Sequence, residues 1–505
     1  MSRLSAEELL RSVLDDGTFR RWDDSEHAAP LVTGEYAAEL AEARRLTGLD
    51  EAVVTGEGLL RGRRVAVIAS EFSFLAGSIG VVAADRLVAA IGRATARRMP
   101  LLAATASGGT RMQEGALAFV QMVRISGAIA EHRRARLPYL VYLRHPTTGG
   151  VFASWGSLGH VTVAEPGALI GFLGPRVYEA LHGEPFPSHV QRAEHLHAHG
   201  LVDAVLAPGE LASIADRALT VMCAVDDGLP PPPAEVGPRP RVASTTEPAP
   251  AWESVTRSRR PDRPGVRELL RHAADDVLPL SGTGEGESEP GLLLALARFG
   301  GAPCVLLGQD RRRQTEQQAL GPGALRQARR GIRLASELAL PLVSVIDTPG
   351  AALSKEAEEG GLAAQIAWCL ADLVTLDVPT VAVLLGEGSG GGALALLPAD
   401  RVVAAEHAWL SPLPPEGASV IVHRDTAHAG EIAGRQGIRS ADLLADGIVD
   451  MVVAERPDAA DEPEPFCRRM GGAVGTELLR LLHAPSADRS ARLARYRRDT
   501  ITFTW

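Results

Sequence analysis

The chain contains the run Pro100-Leu-Leu-Ala-Ala-Thr-Ala106, which continues into Ser107-Gly-Gly-Thr-Arg-Met-Gln-Glu-Gly115. The first run is apolar and led by proline, which is typical of a buried strand, and the second is a glycine-rich turn. A helical segment follows, then a second proline-led strand at Pro138, and then Thr147-Thr-Gly-Gly150. This alternation of strands and helices predicts an α/β fold in layers.

The same order of segments occurs a second time. Pro341 lies 241 residues after Pro100, and Pro379 lies 241 residues after Pro138. A duplication with a glycine pair after the same strand in each copy predicts two related sites that act on two reactants. In the second copy the corresponding turns are Thr348-Pro-Gly-Ala351 and Ser389-Gly-Gly-Gly392.

Length and composition limit the class of protein. A chain of 505 residues is long enough for at least two domains, and 46% apolar with 23% charged residues is ordinary for a globular protein. The net charge of −10 argues against non-specific nucleic-acid binding. Prolines are dense between about residues 224 and 250, which predicts domains at 1–225 and 251–505 joined by a proline-rich linker at 226–250.

Metal binding and membrane insertion are not expected. The four cysteines are widely spaced, and the alternating His195, His197 and His199 lack acidic partners at ligand spacing, so we predict no metal site. The N-terminal residues do not resemble a signal peptide, and charged residues interrupt the apolar stretch 68–91. We therefore expect a cytoplasmic protein without a membrane span.

The glycine pairs Gly149–Gly150 and Gly391–Gly392 are the candidate catalytic residues. Consecutive glycines between a strand and a helix let peptide N–H groups point outward with no side chain in the way. Two such groups can form an oxyanion hole, which stabilises developing negative charge. The alternative is a tight turn without a ligand.

A dinucleotide site is a second alternative. The run Gly386-Glu-Gly-Ser-Gly-Gly391 matches the G-x-G-x-x-G pattern, and Glu406 lies about 20 residues further on. The helix after it is short because Pro398 follows, and the sister run Pro146-Thr-Thr-Gly-Gly150 lacks the pattern. Both facts count against this alternative. The candidate acids are Glu114, Glu165, Asp347, Glu358 and Glu359. For each of them a helix cap or a solvated surface position is favoured over a catalytic role.

At these motifs the chain resembles the carboxyltransferase component of biotin-dependent acyl-CoA carboxylases. The first half is similar to the β subunit of bacterial acetyl-CoA carboxylase and the second half to the α subunit, so the chain resembles a β–α fusion. In the first half the matching stretches are Phe72-Ser-Phe-Leu-Ala-Gly-Ser-Ile-Gly80, Ser107-Gly-Gly-Thr-Arg-Met-Gln-Glu-Gly115, Pro146-Thr-Thr-Gly-Gly150 and Ala164-Glu-Pro-Gly-Ala-Leu-Ile-Gly-Phe-Leu-Gly-Pro175. In the second half they are Ile346-Asp-Thr-Pro-Gly-Ala351, Gly386-Glu-Gly-Ser-Gly-Gly-Gly-Ala-Leu-Ala395 and Pro415-Glu-Gly-Ala-Ser419.

The resemblance implies two crotonase-like ββα spiral domains in tandem. It also implies that a carboxyl group moves from N-carboxybiotin to the α-carbon of an acyl-CoA, with acetyl-CoA giving malonyl-CoA for fatty acid biosynthesis. Gly149 and Gly150 would then hold the thioester enolate, and Gly391 and Gly392 the ureido oxygen of biotin.

A set of substrate-binding residues follows from the same resemblance. Arg111 and Arg326 match basic positions of the family's motifs and are expected to meet the phosphates of CoA, with a surface ion pair as the alternative for either. The expected substrate-binding residues are Ser107, Gly108, Gly109, Arg111 and Arg326.

Three departures from the family pattern bear on cofactors and partners. The four-cysteine zinc element of the β type does not occur, so no zinc is expected, and the α-type motif is rewritten at 277–287, which leaves the choice of acyl-CoA open. The single lysine, Lys355, lies in Leu353-Ser-Lys-Glu-Ala357, unlike a biotin-accepting Met-Lys-Met turn. No ATP-binding glycine loop occurs. We therefore expect biotin on a separate biotin carboxyl carrier protein, charged by a separate biotin carboxylase.

Other functions and the oligomeric state stay open at this point. A decarboxylase acting on an acyl-CoA or a malonyl thioester would use similar enolate chemistry, and a non-catalytic assembly subunit would keep the fold, although the intact glycine pairs count against it. We expect at least a homodimer, in which the first half of one chain and the second half of another form each site.

Overall fold

The computed structural model describes residues 3–22, 32–231, 249–315, 319–484 and 489–497. It divides into two units: unit 1 is Met1–Thr220 with Gly284–Glu287, and unit 2 is Val221–Thr283 with Ser288–Trp505. Most of the predicted linker at 226–250 lies outside the described residues. The predicted domain limits therefore stay a prediction.

In the described part of unit 1, eight strands form one sheet. Its strands are β1 (Arg20–Arg21), β2 (Val53–Leu60), β3 (Arg63–Ser70), β4 (Leu101–Ser107), β5 (Tyr139–Thr148), β6 (Val161–Ala164), β7 (Ile170–Gly171) and β8 (Ala204–Val205). The helices that begin in this part of the chain are α1 (Ala6–Val13), α2 (Glu35–Thr47), α3 (Val81–Ala96), α4 (Gly115–Arg134), α5 (Gly149–Phe152), α6 (Pro175–His182), α7 (Ala193–Ala198) and α8 (Leu211–Met222).

The order of the sheet is β1-β2-β3-β4-β5-β6-β8, with β7 paired to the end of β5. β1, β2 and β3 are antiparallel neighbours, and the pairs from β3 through to β8 are parallel. β4 is buried along its whole length, so it lacks the alternation of a half-exposed strand. The core contains Leu87 and Ile91 of α3, Ile125 and Ile129 of α4, and Val141 of β5.

Unit 2 repeats this arrangement. In its described residues the strands are β9 (Asp276–Leu280), β10 (Leu292–Phe299), β11 (Ala302–Gln309), β12 (Leu342–Thr348), β13 (Thr380–Ser389), β14 (Arg401–Ala405), β15 (Trp409–Ser411) and β16 (Met451–Val453). The helices are α9 (Ala224–Asp227), α10 (Ala251–Ser258), α11 (Val266–Ala273), α12 (Pro322–Leu338), α13 (Lys355–Glu359), α14 (Leu362–Thr375), α15 (Gly390–Leu394), α16 (Pro415–His423), α17 (Ala429–Arg435), α18 (Ser440–Ala445), α19 (Pro463–His483) and α20 (Arg489–Ala494).

The second sheet has the order β16-β14-β13-β12-β11-β10-β9, and β15 pairs with the end of β13. β9, β10 and β11 are antiparallel, and the pairs from β11 to β16 are parallel. In both units the long central strand continues past its main ladder to pair with a short strand, β7 or β15. Each long strand then passes directly into a short helix, α5 or α15, and these two junctions are the predicted sites.

Candidate active site

The turn after β4 forms one side of the unit 1 site. The Gly109 N–H donates to the Ser107 Oγ at 3.0 Å, which closes the turn. Ile79 then accepts from the Arg111 N–H at 3.0 Å and donates to the Gly109 carbonyl at 2.9 Å. Thr110 lies between these two bonds, and its own N–H has no hydrogen-bond partner among the residues that the structure describes.

The start of α5 forms the other side of the site. Gly149 has a φ of +61°, which favours glycine, and its N–H donates to the Phe172 carbonyl at 3.0 Å. The next N–H, that of Gly150, has no partner in the described ranges. A side chain on Gly109 would come within 3.4 Å of the Gly150 nitrogen, so the turn and the helix start are in contact. Unit 1 therefore offers two neighbouring unbonded peptide N–H groups, those of Thr110 and Gly150.

Unit 2 builds the same turn after β12. The Gly350 N–H donates to the Thr348 Oγ1 at 3.2 Å, as Gly109 does to a hydroxyl in unit 1. The Ala352 N–H donates to the Leu320 carbonyl at 2.9 Å. Leu320 forms a parallel β-bridge with Ala351, as Ile79 does with Thr110 in unit 1. The Ala351 N–H has no partner within the part of the chain that is described.

The start of α15 completes the unit 2 site. Gly390 is its first residue, with a φ of +64°, and so corresponds to Gly149. The predicted pair Gly391 and Gly392 occupies the second and third positions, one residue later than the pair in unit 1. A side chain on Gly392 would lie 3.3 Å from the Ala351 nitrogen. The turn and the helix start are thus also in contact here.

A side chain on the glycine at the second helix position would crowd neighbouring side chains in both units. A Cβ on Gly150 would lie 3.0 Å from the Thr110 Oγ1 and 3.4 Å from the Met122 Cγ of α4. A Cβ on Gly391 would lie 2.7 Å from the Ile366 Cδ1 of α14. The expectation that these glycines also leave the ligand side of the turn open stays a prediction.

Arg111 is one of the predicted substrate-binding residues. Its side chain is 1% exposed and pairs with the carboxylate of Glu51. It also donates to the Ser78 carbonyl at 2.7 Å. Burial disfavours the guanidinium charge, but hydrogen bonds and attraction from Glu51 outweigh it and raise the pKa of Arg111. The structure places the Arg111 side chain in a buried ion pair, and its contact with the phosphates of CoA stays a prediction.

The remaining predicted substrate-binding residues differ in exposure. The Ser107 hydroxyl is buried and donates to the Gly77 carbonyl at 2.6 Å, so it holds the turn. Gly108 is exposed, whereas Gly109 is buried. Arg326 is half-buried in α12, and its guanidinium donates to the Gly360 carbonyl at 3.1 Å. Thr110 and Ala351 are candidate site residues that the sequence analysis does not name.

The comparisons with known proteins identify the family. Residues 14–484 match the family described as carboxyl transferase domain. The chain belongs to the carboxyl transferase family. A relative from Mycobacterium tuberculosis, described as a probable biotin-dependent acyl-coenzyme A carboxylase beta3 subunit, is 62% identical over 99% of both chains. The acetyl-coenzyme A carboxylase carboxyl transferase subunits beta/alpha of Salinispora arenicola are 38% identical over 98% of this chain and 91% of theirs. The predicted family and enzyme class are confirmed.

Solved structures support the fold of this carboxyl transferase. The transcarboxylase 12S structure, described as a hexamer assembly, gives a TM-score of 0.74 at 21% identity and covers 99% of this chain and 91% of its own. A single-chain, multi-domain long-chain acyl-CoA carboxylase gives 0.70 at 19% identity, over 91% of this chain and 45% of that one. At these identities the similarity concerns the fold, and the predicted α/β class with tandem crotonase-like domains is confirmed.

One candidate acid of the carboxyl transferase has an unusual environment. Asp347 is fully buried at the end of β12, and burial raises the pKa of its carboxyl group to about 6, against an opposing effect of Arg311. One oxygen accepts the Glu387 N–H at 3.1 Å, and the other has no hydrogen-bond partner in the described structure. This carboxyl group packs against the backbone of β13.

The described residues contain no group of three or more histidine, cysteine, aspartate or glutamate side chains that could hold a metal ion. His195 and His199 lie with ring centroids 4.1 Å apart, on and just after α7. In the same ranges, none of the helices is long and apolar enough to cross a bilayer.

Proposed function

We propose that this carboxyl transferase moves the carboxyl group from N-carboxybiotin, carried on a separate protein, to the α-carbon of an acyl-CoA. The observation that carries the proposal is a set of peptide N–H groups in each unit that have no hydrogen-bond partner in the described ranges. These are the N–H groups of Thr110 and Gly150 in unit 1 and those of Ala351, Gly391 and Gly392 in unit 2. The relative at 62% identity, described as a subunit of a biotin-dependent acyl-coenzyme A carboxylase, supports the choice of reactants.

In this proposal each unit stabilises one developing negative charge. The N–H groups of Thr110 and Gly150 bind the thioester oxygen as the enolate forms. The N–H groups of Ala351, Gly391 and Gly392 bind the ureido oxygen of biotin. Carboxybiotin supplies the carboxyl group, and the peptide donors hold both oxygens in fixed positions. Preorganised donors of this kind each contribute about 3 kcal/mol to the stabilisation of a transition state.

The acyl-CoA is proposed to be acetyl-CoA, which gives malonyl-CoA for fatty acid biosynthesis. The Salinispora relative, described as an acetyl-coenzyme A carboxylase subunit, supports this choice at 38% identity. The more similar relative from Mycobacterium is described only as acting on an acyl-coenzyme A. Rates with acetyl-, propionyl- and longer acyl-CoA, measured with one carrier protein, test this part of the proposal.

The proposed partners are a biotin carboxyl carrier protein, a biotin carboxylase and at least one further copy of this chain. Exposed apolar side chains support an oligomer, because monomers rarely expose contiguous apolar patches of large area. On α4 these side chains are Leu117, Phe119, Val120 and Val123, and in unit 2 they include Trp368, Val420, Ile421 and Val422. The proposal includes the cytoplasmic location predicted from the sequence.

The reverse reaction tests the proposal without a partner protein. The purified full chain is incubated with malonyl-CoA, with or without free biotin, and the formation of acetyl-CoA and CO2 is followed. We expect acetyl-CoA formation to depend on biotin. Loss of CO2 at the same rate without biotin would instead identify a decarboxylase, and no turnover with any carboxylated acyl-CoA would reject both functions.

A further inference from the structure

One buried glutamine connects the two backbone segments of the unit 2 site. Gln309 is the last residue of β11 and is 0% exposed. Its Nε2 donates to the Gly392 carbonyl of α15 at 2.7 Å. Its Oε1 accepts the Asp347 N–H at the end of β12 at 3.1 Å. Because a carbonyl requires a donor and an N–H an acceptor, only this orientation of the amide satisfies both partners.

The location of these bonds matters because the parallel ladder stops just before them. The last paired residues of β11 and β12 are Gly308 and Val345. Beyond this point no ladder pair joins β11 to β12. The hydrogen bond from the Asp347 N–H to the Gln309 side chain connects the two strands there. The chain after Asp347 leads within four residues to Ala351, and Gly392 belongs to the helix start that carries the other donors.

The described residues of unit 1 do not form this connection. Ser70 ends β3 one residue after the last parallel pair, Ala69 with Ala104, and therefore corresponds to Gln309. Ser70 is also buried, and its Oγ has no hydrogen-bond partner within the described residues. The fold therefore forms with a short side chain at this position. A buried amide is costly unless both ends are bonded, so the glutamine in unit 2 is matched to its two partners.

We infer that Gln309 is a positioning residue of the unit 2 site, where its side chain fixes the separation between the Ala351 N–H and those of Gly391 and Gly392. The inference rests on the proposed function for what these donors bind. In unit 2 a side chain thus sets the spacing of the peptide donors, whereas the corresponding residue of unit 1, Ser70, does not.

The variant Gln309→Met in the full chain tests this inference, because it keeps the length of the side chain and removes both hydrogen bonds. Gln327→Met is a matched control: Gln327 is a buried glutamine of unit 2 whose amide donates to the Leu292 carbonyl at 3.1 Å and whose Oε1 has no partner in the described structure. Amide hydrogen exchange is compared over residues 347–352 and 389–393. We expect Gln309→Met, and not Gln327→Met, to exchange at least about tenfold faster in both segments.

Turnover supplies the second readout. We expect Gln309→Met to lower kcat about 10- to 100-fold while the KM for acyl-CoA stays within about twofold, because only the biotin-side donors are displaced. Equal exchange in the two variants, or faster exchange with wild-type kcat, would overturn the inference. A wild-type chain that transfers no carboxyl group would reject the proposed function, and hydrogen exchange would still decide the role of Gln309.

A second variant covers the case in which Gln309→Met does not fold. At a pH at which its carboxyl group is ionised, Gln309→Glu keeps an acceptor for the Asp347 N–H and replaces the donor to the Gly392 carbonyl by a carboxylate oxygen. We expect faster exchange in the segment 389–393 and unchanged exchange at 347–352. Wild-type exchange in both segments would contradict the role that we assign to Gln309.

Discussion

The guanidinium of Arg111 and the carboxylate of Glu51 form a buried ion pair, with side chains that are 1% and 4% exposed. Arg111 Nη1 donates to Glu51 Oε2 at 3.0 Å, and Nη2 donates to the Ser78 carbonyl at 2.7 Å. Ser78 precedes Ile79, whose backbone holds both sides of Thr110. The ion pair therefore supports the strand-like segment next to one proposed donor.

Removal of the arginine should destabilise unit 1. Arg111→Met leaves the Glu51 charge buried without its partner, and we expect a loss of about 3 to 5 kcal/mol in the free energy of unfolding. The double variant Arg111→Met with Glu51→Leu should recover most of it, because no charge remains buried. Urea unfolding, analysed per transition since the chain has two units, provides the measurement. Unchanged stability with a raised KM for acyl-CoA would mean that Arg111 contacts the CoA phosphates after all.

Deletion of single peptide donors tests the proposed oxyanion holes directly. Thr110→Pro and Ala351→Pro each remove an N–H that has no partner in the described structure, so neither breaks an existing backbone hydrogen bond. We expect each variant to lose about 100-fold or more in the rate of carboxyl transfer. Steady-state kinetics with acetyl-CoA and carboxylated carrier provide the measurement.

Thr110→Ala and Ala351→Ser are the controls, because they change the side chain at the same position and keep the peptide N–H. They should retain turnover within a few-fold of wild type. Circular dichroism and unfolding midpoints establish that the proline variants fold. A folded proline variant with wild-type turnover would show that its N–H is not a donor to the transition state.

The sequence predicted the parts of the fold that depend on local signals. Leading prolines and closing glycines marked β4, β5, β12 and β13, and the short helix expected after the glycine run at 386–391 is present as α15. The strands β2, β10 and β11 were missed. They form antiparallel pairs, and their partners are specified by the sheet as a whole.

The candidate site was predicted only in part, for two physical reasons. A peptide N–H leaves no signature in the sequence, so Thr110 and Ala351 could be found only from the bonds that their neighbours make. Arg111 follows a glycine-rich turn, as a phosphate ligand could, and its partner Glu51 lies 60 residues earlier in the chain. Long-range pairing of this kind distinguishes a buried ion pair from a ligand contact.

Asp347 should make stability depend on pH. Burial raises the pKa of its carboxyl group to about 6, above the ordinary value of 3.8, so the folded state binds this proton more tightly than the unfolded state does. The stabilising effect of the neutral form is complete below about pH 4 and is lost as the pH rises through about 6. The uncharged variant Asp347→Asn should therefore become more stable relative to wild type over this pH range, by up to about 3 kcal/mol in the free energy of unfolding.

Unfolding midpoints of wild type and Asp347→Asn, measured from pH 4 to pH 8, provide the test. We expect the difference between the two proteins to grow between about pH 4 and pH 6 and to stay constant above that range. A difference that does not change with pH would mean that Asp347 titrates normally in the folded protein. Gln314→Met is a suitable control because it alters a neighbouring hydrogen bond, to the Thr348 Oγ1, without a titratable group.

The last prediction concerns how copies of the chain combine. Each unit has one set of donors, and the two reactants must meet, so we predict that unit 1 of one chain and unit 2 of another form each active site in an oligomer. Thr110→Pro and Ala351→Pro damage different sets of donors. In a mixed dimer with shared sites, one site carries both substitutions and the other carries neither. Random 1:1 reassortment should then restore roughly a quarter of wild-type activity, although each variant alone is nearly inactive.

Sites that lie within single chains would behave differently, because every chain in the mixture carries one substitution and every site stays damaged. Subunit exchange is verified by native mass spectrometry, with one variant isotopically labelled. As the control, the double variant with Thr110→Pro and Ala351→Pro on one chain is mixed with wild type. If the chains do not exchange, the number of intact sites is the same whether the sites are shared or lie within single chains. If the chains exchange, shared sites leave fewer of them intact. Confirmed exchange between the two single variants without recovery of activity would therefore reject shared sites and place both sets of donors within one chain.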